Sequence, residues 1–392
     1  MTSKYQPDTV LTHAGRDPSA NHGVVNPPVY HASTILFDTM DDLAKGYAER
    51  YAHYTYGRTG TPTSHAFETA VAALEGAHAA VSAPSGLSAV AIALDAFTQA
   101  GDHVLVVDAA YGPTRDYCDK VLSRHGVTVE YYDPLIGGDI DGLIRDETRV
   151  IFMESPGSLT FEIQDVPAIT AVAKARGVVT MIDNTWATPL FFKPFDHGVD
   201  ISVHAATKYM VGHADAMMGV VCCATRDLFM AVKSQAHLQG ICAGPDDLYL
   251  AQRGLRTMAV RLRHHQQSAL EVARWLRDRE EVARVLHPAL PDDPGHALWS
   301  RDFTGSSGLF SVVLNPHDRK AVNRMVDDMD LFGIGFSWGG YESLIMPQSP
   351  ERSRTATIWQ AEGPLLRLHI GLEDVEDLKR DLAAGFERLS KE

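Results

Sequence analysis

The sequence predicts an α/β protein with a mostly parallel central sheet flanked by helices, followed by a smaller C-terminal α+β domain. Between about Ala79 and Val221, short apolar β-rich runs alternate with apolar residues at helical spacing, the pattern of buried strands joined by crossover helices. A long arginine-rich helical stretch, Asp246 to about Arg277, closes that region, and the pattern changes beyond it. The 392 residues also exceed the roughly 250–300 that one core usually holds. The expected division is an N-terminal arm over 1–60, a large α/β domain over 61–256 and a C-terminal α+β domain over 257–392.

The expected strands are Ala79–Ser82, His103–Val107, Val127–Tyr131, Arg149–Met153, Val178–Ile182 and Ile201–His204. After the turn Pro84-Ser85-Gly86, Leu87, Val90, Ala91, Leu94 and Phe97 recur at helical spacing. Cys222 and Cys223 sit in the apolar run Met217–Cys223 and read as reduced thiols in a buried strand. Further on, the sequence predicts a strand over Gly308–Leu314, a helix over Lys320–Met329, a glycine-rich segment over Gly333–Gly340 and a strand over Leu365–Ile370. A final helix over Asp374–Leu389 places Val375, Leu378, Leu382, Phe386 and Leu389 on one face, with acids at its N-terminus. Before Ala79 there is little periodicity; this segment, with Pro27, Pro28, Tyr51, Tyr54, Tyr56 and Arg58, reads as an extended arm reaching a neighbouring subunit.

A formal net charge of −15, with 35 basic against 50 acidic residues, disfavours nucleic acid and anionic membranes as partners. The cluster Arg253, Arg256, Arg261 and Arg263 is interrupted by apolar residues and makes no basic patch. No window approaches the ~18 apolar residues of a spanning helix, and residues 1–30 lack a signal-like apolar run, so a soluble, cytoplasmic protein is expected. The four cysteines have no zinc-binding spacing, and the histidines, His213 and the pair His264-His265 included, lack a third ligand at metal spacing. No metal is expected.

Four positions suit pyridoxal-5'-phosphate (PLP), which needs an amine, an acid for its ring nitrogen, a phosphate cradle and a cation for the substrate carboxylate. Lys208 follows a strand in Ala205-Ala206-Thr207-Lys208-Tyr209, where partial desolvation favours the neutral amine; alone, it reads more simply as a surface lysine. Asp183 ends a buried strand, where α/β sheets collect ligands; its rival role is a turn or helix cap. The amides of Gly86 and Leu87 open a helix and can cradle an anion, although many strand-to-helix turns contain glycine. Arg58, Tyr56 and Thr207 can complete that cradle, and Tyr111 can stack on the ring or simply pack as a loop aromatic. Arg367, in a half-buried strand, needs an anion, which a substrate carboxylate or a structural acid can supply.

Eight ordered stretches then resemble the Cys/Met-metabolism PLP enzymes over nearly the full length, most of all their bacterial β-lyase branch. They are Tyr56-Gly57-Arg58, Glu154-Ser155-Pro156-Gly157-Ser158, Ile182-Asp183-Asn184-Thr185-Trp186-Ala187 and Ala206-Thr207-Lys208-Tyr209-Met210-Val211-Gly212-His213. The remainder are Arg253-Gly254-Leu255-Arg256-Thr257, Phe303 to Phe310, Ser337-Trp338-Gly339-Gly340-Tyr341-Glu342-Ser343-Leu344 and Arg367-Leu368-His369-Ile370-Gly371-Leu372-Glu373. The resemblance implies a fold-type-I PLP enzyme, a homotetramer built as a dimer of dimers with shared active sites. By motif, Lys208 would hold the cofactor as a Schiff base and shuttle protons, Asp183 would face the ring nitrogen, and Tyr111 would stack on the ring. Tyr56 and Arg58 would reach a neighbour's phosphate, and Arg367, with Ser337 and Trp338, would hold the substrate carboxylate.

The implied reaction is α,β-elimination of an amino-acid substrate, L-cystathionine, to homocysteine, pyruvate and ammonia. Two departures fall where the substrate's far end would be read: Thr59 replaces the second arginine of a Tyr-Gly-Arg-Arg-Gly motif, and His237 replaces a tyrosine. They keep open γ-elimination from methionine, canavanine or an O-substituted homoserine. A PLP-binding regulator without turnover is the alternative from another class. Ala205 stands where many relatives have serine, a loss of roughly 1 kcal/mol for one phosphate hydrogen bond, and Ser155-Pro156 is a candidate cis peptide.

Overall fold

The computed structural model describes residues 4–49 and 51–390. Its large sheet contains β1 (Ala79–Ala83), β2 (His103–Val107), β3 (Thr128–Tyr132), β4 (Thr148–Glu154), β5 (Val179–Asp183), β6 (Ile201–His204) and β7 (Gly219–Cys223), in the order β1-β7-β6-β5-β4-β2-β3. Strands β2 to β6 are paired in parallel, while β7 runs antiparallel between β1 and β6. Successive residues of a strand face opposite sides: Val221 and Cys223 of β7 join one apolar cluster, with Leu94, Leu105 and Phe152, whereas Val220 and Cys222 join another, with Phe67, Val71 and Leu255. Both faces are therefore covered, which is why these strands read as continuous apolar runs.

The second sheet contains β8 (Val282–Leu286), β9 (Leu309–Leu314), β10 (Leu344–Gln348) and β11 (Leu365–His369), all antiparallel, in the order β10-β11-β9-β8. Phe310 and Leu366 of this sheet pack with Val272, Val322 and Phe386 from the helices Met258–Arg277, Arg319–Asp327 and Val375–Leu389. No helix among the described residues is long and apolar enough to cross a membrane.

Three expectations change. The arginine-rich stretch is two helices, Pro245–Leu255 and Met258–Arg277. At the break, Arg256 donates to the carbonyls of Leu11 (2.5 Å) and Ala14 (3.0 Å), and Gly254 lies so close to the Met210 and Val211 carbonyls that a Cβ would sit 2.3 Å from either oxygen. Tertiary packing here overrides a sequence that favours one helix. The region before Ala79 is not simply extended: it holds the helices Pro7–His13, Met40–Ala48 and Pro62–Glu75. The third starts on a capping box, in which Thr61 and Ser64 hydrogen-bond reciprocally, with Pro62 in its first turn. The sequence reading also omits β8, which is mostly half-buried, and β10, where Pro347 is tolerated because β10 is an edge strand.

Behind β6 lies a buried polar network. The Glu75 carboxylate accepts from Ser202 Oγ (2.7 Å) and Asn184 Nδ2 (3.3 Å) and pairs with His204 Nε2 (2.9 Å). Burial alone would raise the Glu75 pKa, but His204 and Ser202 hold it below the ordinary range. Glu75, His204 and Cys222 bring three potential metal-ligating atoms within 4.8 Å of one another, a grouping that no sequence spacing reveals because it spans three elements. His204 Nε2 is already engaged with Glu75 and Ser202, and Lys193 adds a positive charge near Glu75. Glu75→Ala leaves these donors without their acceptor and is expected to cost about 3–5 kcal/mol of stability; a denaturant-unfolding change below about 1 kcal/mol would contradict the network's role.

Candidate active site

The carboxyl ends of β2, β4, β5 and β6 open onto one edge of the sheet, where ligands bind in α/β proteins. Glu154 ends β4 and Asp183 ends β5, and the two residues are register partners. Burial, reinforced by the neighbouring charge of Asp183, pushes Glu154 well above the carboxylate range. Burial also raises Asp183, against the opposing effects of Thr185, His204 and Lys208. Glu154 accepts the amide of Tyr111 at 2.7 Å and Asp183 that of Thr185 at 2.9 Å.

Lys208 leaves the loop after β6 and donates to Ser337 Oγ at 2.6 Å, with its ammonium 5.2 Å from the centre of the Trp338 ring. Burial, aided by the Arg367 charge and opposed by Asp183, lowers its pKa to about 8. The turn bearing Ser337 takes a positive φ of 76° there and passes Lys208 at Gly339, where a Cβ would lie 2.9 Å from the Lys208 backbone. Arg367, on β11, donates to the Ser337 carbonyl at 3.2 Å and approaches Met346 Sδ at 3.8 Å. Among the described residues it forms no ion pair with an acid, so a structural salt bridge does not account for it. Tyr111 is raised by burial and by Glu154 and Asp183, with Arg367 acting in the opposite direction.

The helix Gly86–Asp95 also starts at this edge. Ser85 Oγ accepts the Ser88 amide at 3.1 Å, so the first two amides, Gly86 and Leu87, lie free of that cap. A Cβ on Gly86 would meet Ala205 Cβ at 2.5 Å, so only glycine lets the helix start approach the Lys208 loop. The Thr207 hydroxyl donates to the Met218 carbonyl (3.1 Å) and accepts the Met218 amide (2.9 Å). The Ser155–Pro156 peptide is cis.

Tyr56, Arg58, Thr59 and His237 come together elsewhere. They line a cavity of about 310 Å³ whose lining includes none of Lys208, Asp183, Tyr111 and Arg367. Arg58 donates to the His237 carbonyl at 2.6 Å, and Thr59 to the Tyr56 carbonyl at 2.7 Å. One chain thus assembles Lys208, Asp183, Tyr111, Arg367, Ser337 and Trp338, but not this second group. Glu154 is absent from the sequence-derived site, although it ends its strand as Asp183 does.

The donor set fits PLP. Among the described residues, two adjacent half-buried acids lack a hydrogen-bonded cation, as suits a protonated ring nitrogen, and Arg367 has no acidic partner; an amine with a lowered pKa and a glycine-opened helix provide the rest. A family model described as Cys/Met metabolism PLP-dependent enzyme matches residues 8–387. The chain is 46% identical over 392 residues to the cystathionine beta-lyase MetC of Escherichia coli, covering 97% of this chain and 98% of the relative. It is likewise 46% identical over 398 residues to the cystathionine beta-lyase of Salmonella typhimurium, covering 99% and 100%. The cystathionine gamma synthase from Xanthomonas oryzae pv. oryzae, solved in complex with aminoacrylate and cysteine, matches with a TM-score of 0.90 at 32% identity over 99% of both chains.

Two outcomes follow from the geometry. Gly86→Ala is expected to weaken PLP affinity of the cofactor-free protein at least about tenfold, measured by titration; unchanged affinity would refute the cradle. Arg367→Leu removes a charge that disfavours the ammonium, so the pKa of Lys208 should rise. The pH dependence of chemical modification at Lys208 reads that shift, and a fall would contradict it.

Proposed function

Because this chain belongs to the Cys/Met-metabolism PLP-dependent enzyme family, we propose that it is a carbon–sulfur lyase that cleaves L-cystathionine by α,β-elimination to homocysteine, pyruvate and ammonia. The observation that carries this reading is Lys208 Nζ held on Ser337 Oγ at 2.6 Å, within reach of the charges of Asp183 and of Arg367, which among the described residues pairs with no acid. PLP, when bound, supplies the electron sink that makes the α-proton removable.

The chain's own groups do the rest. Lys208 would hold the cofactor and take the α-proton of the substrate, and Ser337, which accepts from its amine at 2.6 Å, would keep that amine in place. Arg367 receives the substrate carboxylate through its planar fork, and Trp338 closes the same side. Asp183 would keep a proton on the ring nitrogen and Tyr111 would stack on the ring, while Glu154 holds the Tyr111 backbone amide. Gly86 and Leu87 would hold the phosphate.

Tyr56 and Arg58 serve a neighbour's site across a subunit boundary, which accounts for their separation from Lys208 within one chain. That arrangement supports a homotetramer of paired, shared sites, with residues 1–60 as the arm, 61–256 as the cofactor domain and 257–392 as the C-terminal domain. Thr59 and His237 read the distal end of the substrate. The cysteines, three of them buried and all free, suit a cytoplasmic enzyme.

The pair Thr59 and His237 favours one second reading, γ-elimination, because both replace residues at the end that distinguishes long substrates from short ones. Lys208→Ala should abolish the visible absorbance of the bound cofactor and reduce turnover by at least about 10³-fold. Product analysis over an amino-acid panel then separates the chemistries: pyruvate supports β-elimination, and 2-oxobutyrate or homoserine would overturn it in favour of γ-elimination.

A further inference from the structure

Between β10 and β11 the chain leaves the small sheet and crosses to the large one. There, both carboxylate oxygens of Asp108, the residue after β2, are taken up. Oδ1 accepts the Thr355 amide (2.9 Å), the Thr355 hydroxyl (3.2 Å) and Arg115 (2.8 Å). Oδ2 accepts the Thr357 amide (2.8 Å) and hydroxyl (2.7 Å).

Arg115 closes the arrangement by donating to the Asp108 carbonyl (3.0 Å) and Thr355 Oγ1 (2.9 Å), with its guanidinium 3.5 Å from the centre of the Tyr131 ring. A second tie lies alongside: Arg354 pairs with Glu162 at 2.6 Å and donates to Thr160 and Thr357. All these anchors leave the carboxyl edge of the large sheet. Asp108 is three residues before Tyr111, and Thr160 and Glu162 follow β4, which ends at Glu154. At its other end the strap leads directly into β11 and Arg367, and back into β10 and Met346, which touches Arg367.

We propose that Asp108, Thr355 and Thr357 are positioning residues, forming a latch that fixes Arg367 on the small sheet relative to Tyr111 and Lys208 on the large one. This rests on the reading that those three residues face the substrate. Bound substrate touches both sheets, so an error in their relative placement falls on its carboxylate, and small misplacements are costly. Burial would raise the Asp108 pKa, but the amides of Thr355, Thr357 and Ala356 and the Thr357 hydroxyl bring it down to about 2. The carboxylate therefore stays charged across neutral and mildly acidic pH, and the latch is a standing brace.

The test compares holoenzymes carrying Thr355→Val with Thr357→Val, or Thr355→Ser with Thr357→Ser. The valine pair is expected to raise KM for L-cystathionine about tenfold or more while kcat changes less than about threefold and the cofactor absorbance is retained. The serine pair, which restores the hydroxyls, should return KM to within about twofold of the parent. A valine pair with the parent KM would overturn the latch, and so would a serine pair as impaired as the valine pair.

Hydrogen exchange on the parent holoenzyme gives a reading that needs no variant to fold. The Thr355 and Thr357 amides should be strongly protected, and rapid exchange at both would overturn the proposal. Lys208→Ala separates the two claims: retained turnover in that variant refutes the active-site reading, whereas a parental KM in the valine pair of an enzyme that requires Lys208 refutes the latch alone.

Discussion

Glu154 and Asp183 end adjacent parallel strands in register, both are half-buried, and among the described residues neither forms an ion pair. Two acids so placed cannot both carry charge cheaply. Their environment raises both, and a proton-bearing partner at the open edge of the sheet would relieve Asp183. A protonated pyridine nitrogen is such a partner. The other features of the site suit the same partner: an amine on the next strand's loop, a helix start able to cradle a phosphate, and a second sheet that carries Arg367.

The parallel topology makes this geometry possible. Because β4, β5 and β6 run the same way, residues far apart in sequence, at 154, 183 and 208, emerge side by side. The close approaches at Gly86 and Gly339 then bring the helix start and the Ser337 turn against the Lys208 loop. Burial lowers the amine toward neutrality while Ser337 holds it, so reactivity and placement arise from the same packing.

Much of this was legible in the sequence. The large sheet was readable because strands buried on both faces are apolar throughout, and Asp183, Lys208, Gly86, Tyr111 and Arg367 could be placed by their positions at strand ends or in a half-buried strand. Other features lie in three-dimensional relations that no local pattern encodes. The helix break at Arg256 follows from carbonyls of the N-terminal helix region, the Glu75–His204 network joins residues more than a hundred positions apart, and Asp108 meets Thr355 only across the two sheets. Edge strand β10 escaped because its proline reads as a breaker.

The most direct measurement is borohydride reduction of the PLP-loaded protein, followed by proteolysis and mass mapping of the fixed phosphopyridoxyl group. The account expects one mole of label per chain, on the peptide containing Ala206-Thr207-Lys208-Tyr209. Label on Lys193 or Lys233 instead, or none on any lysine, would contradict it.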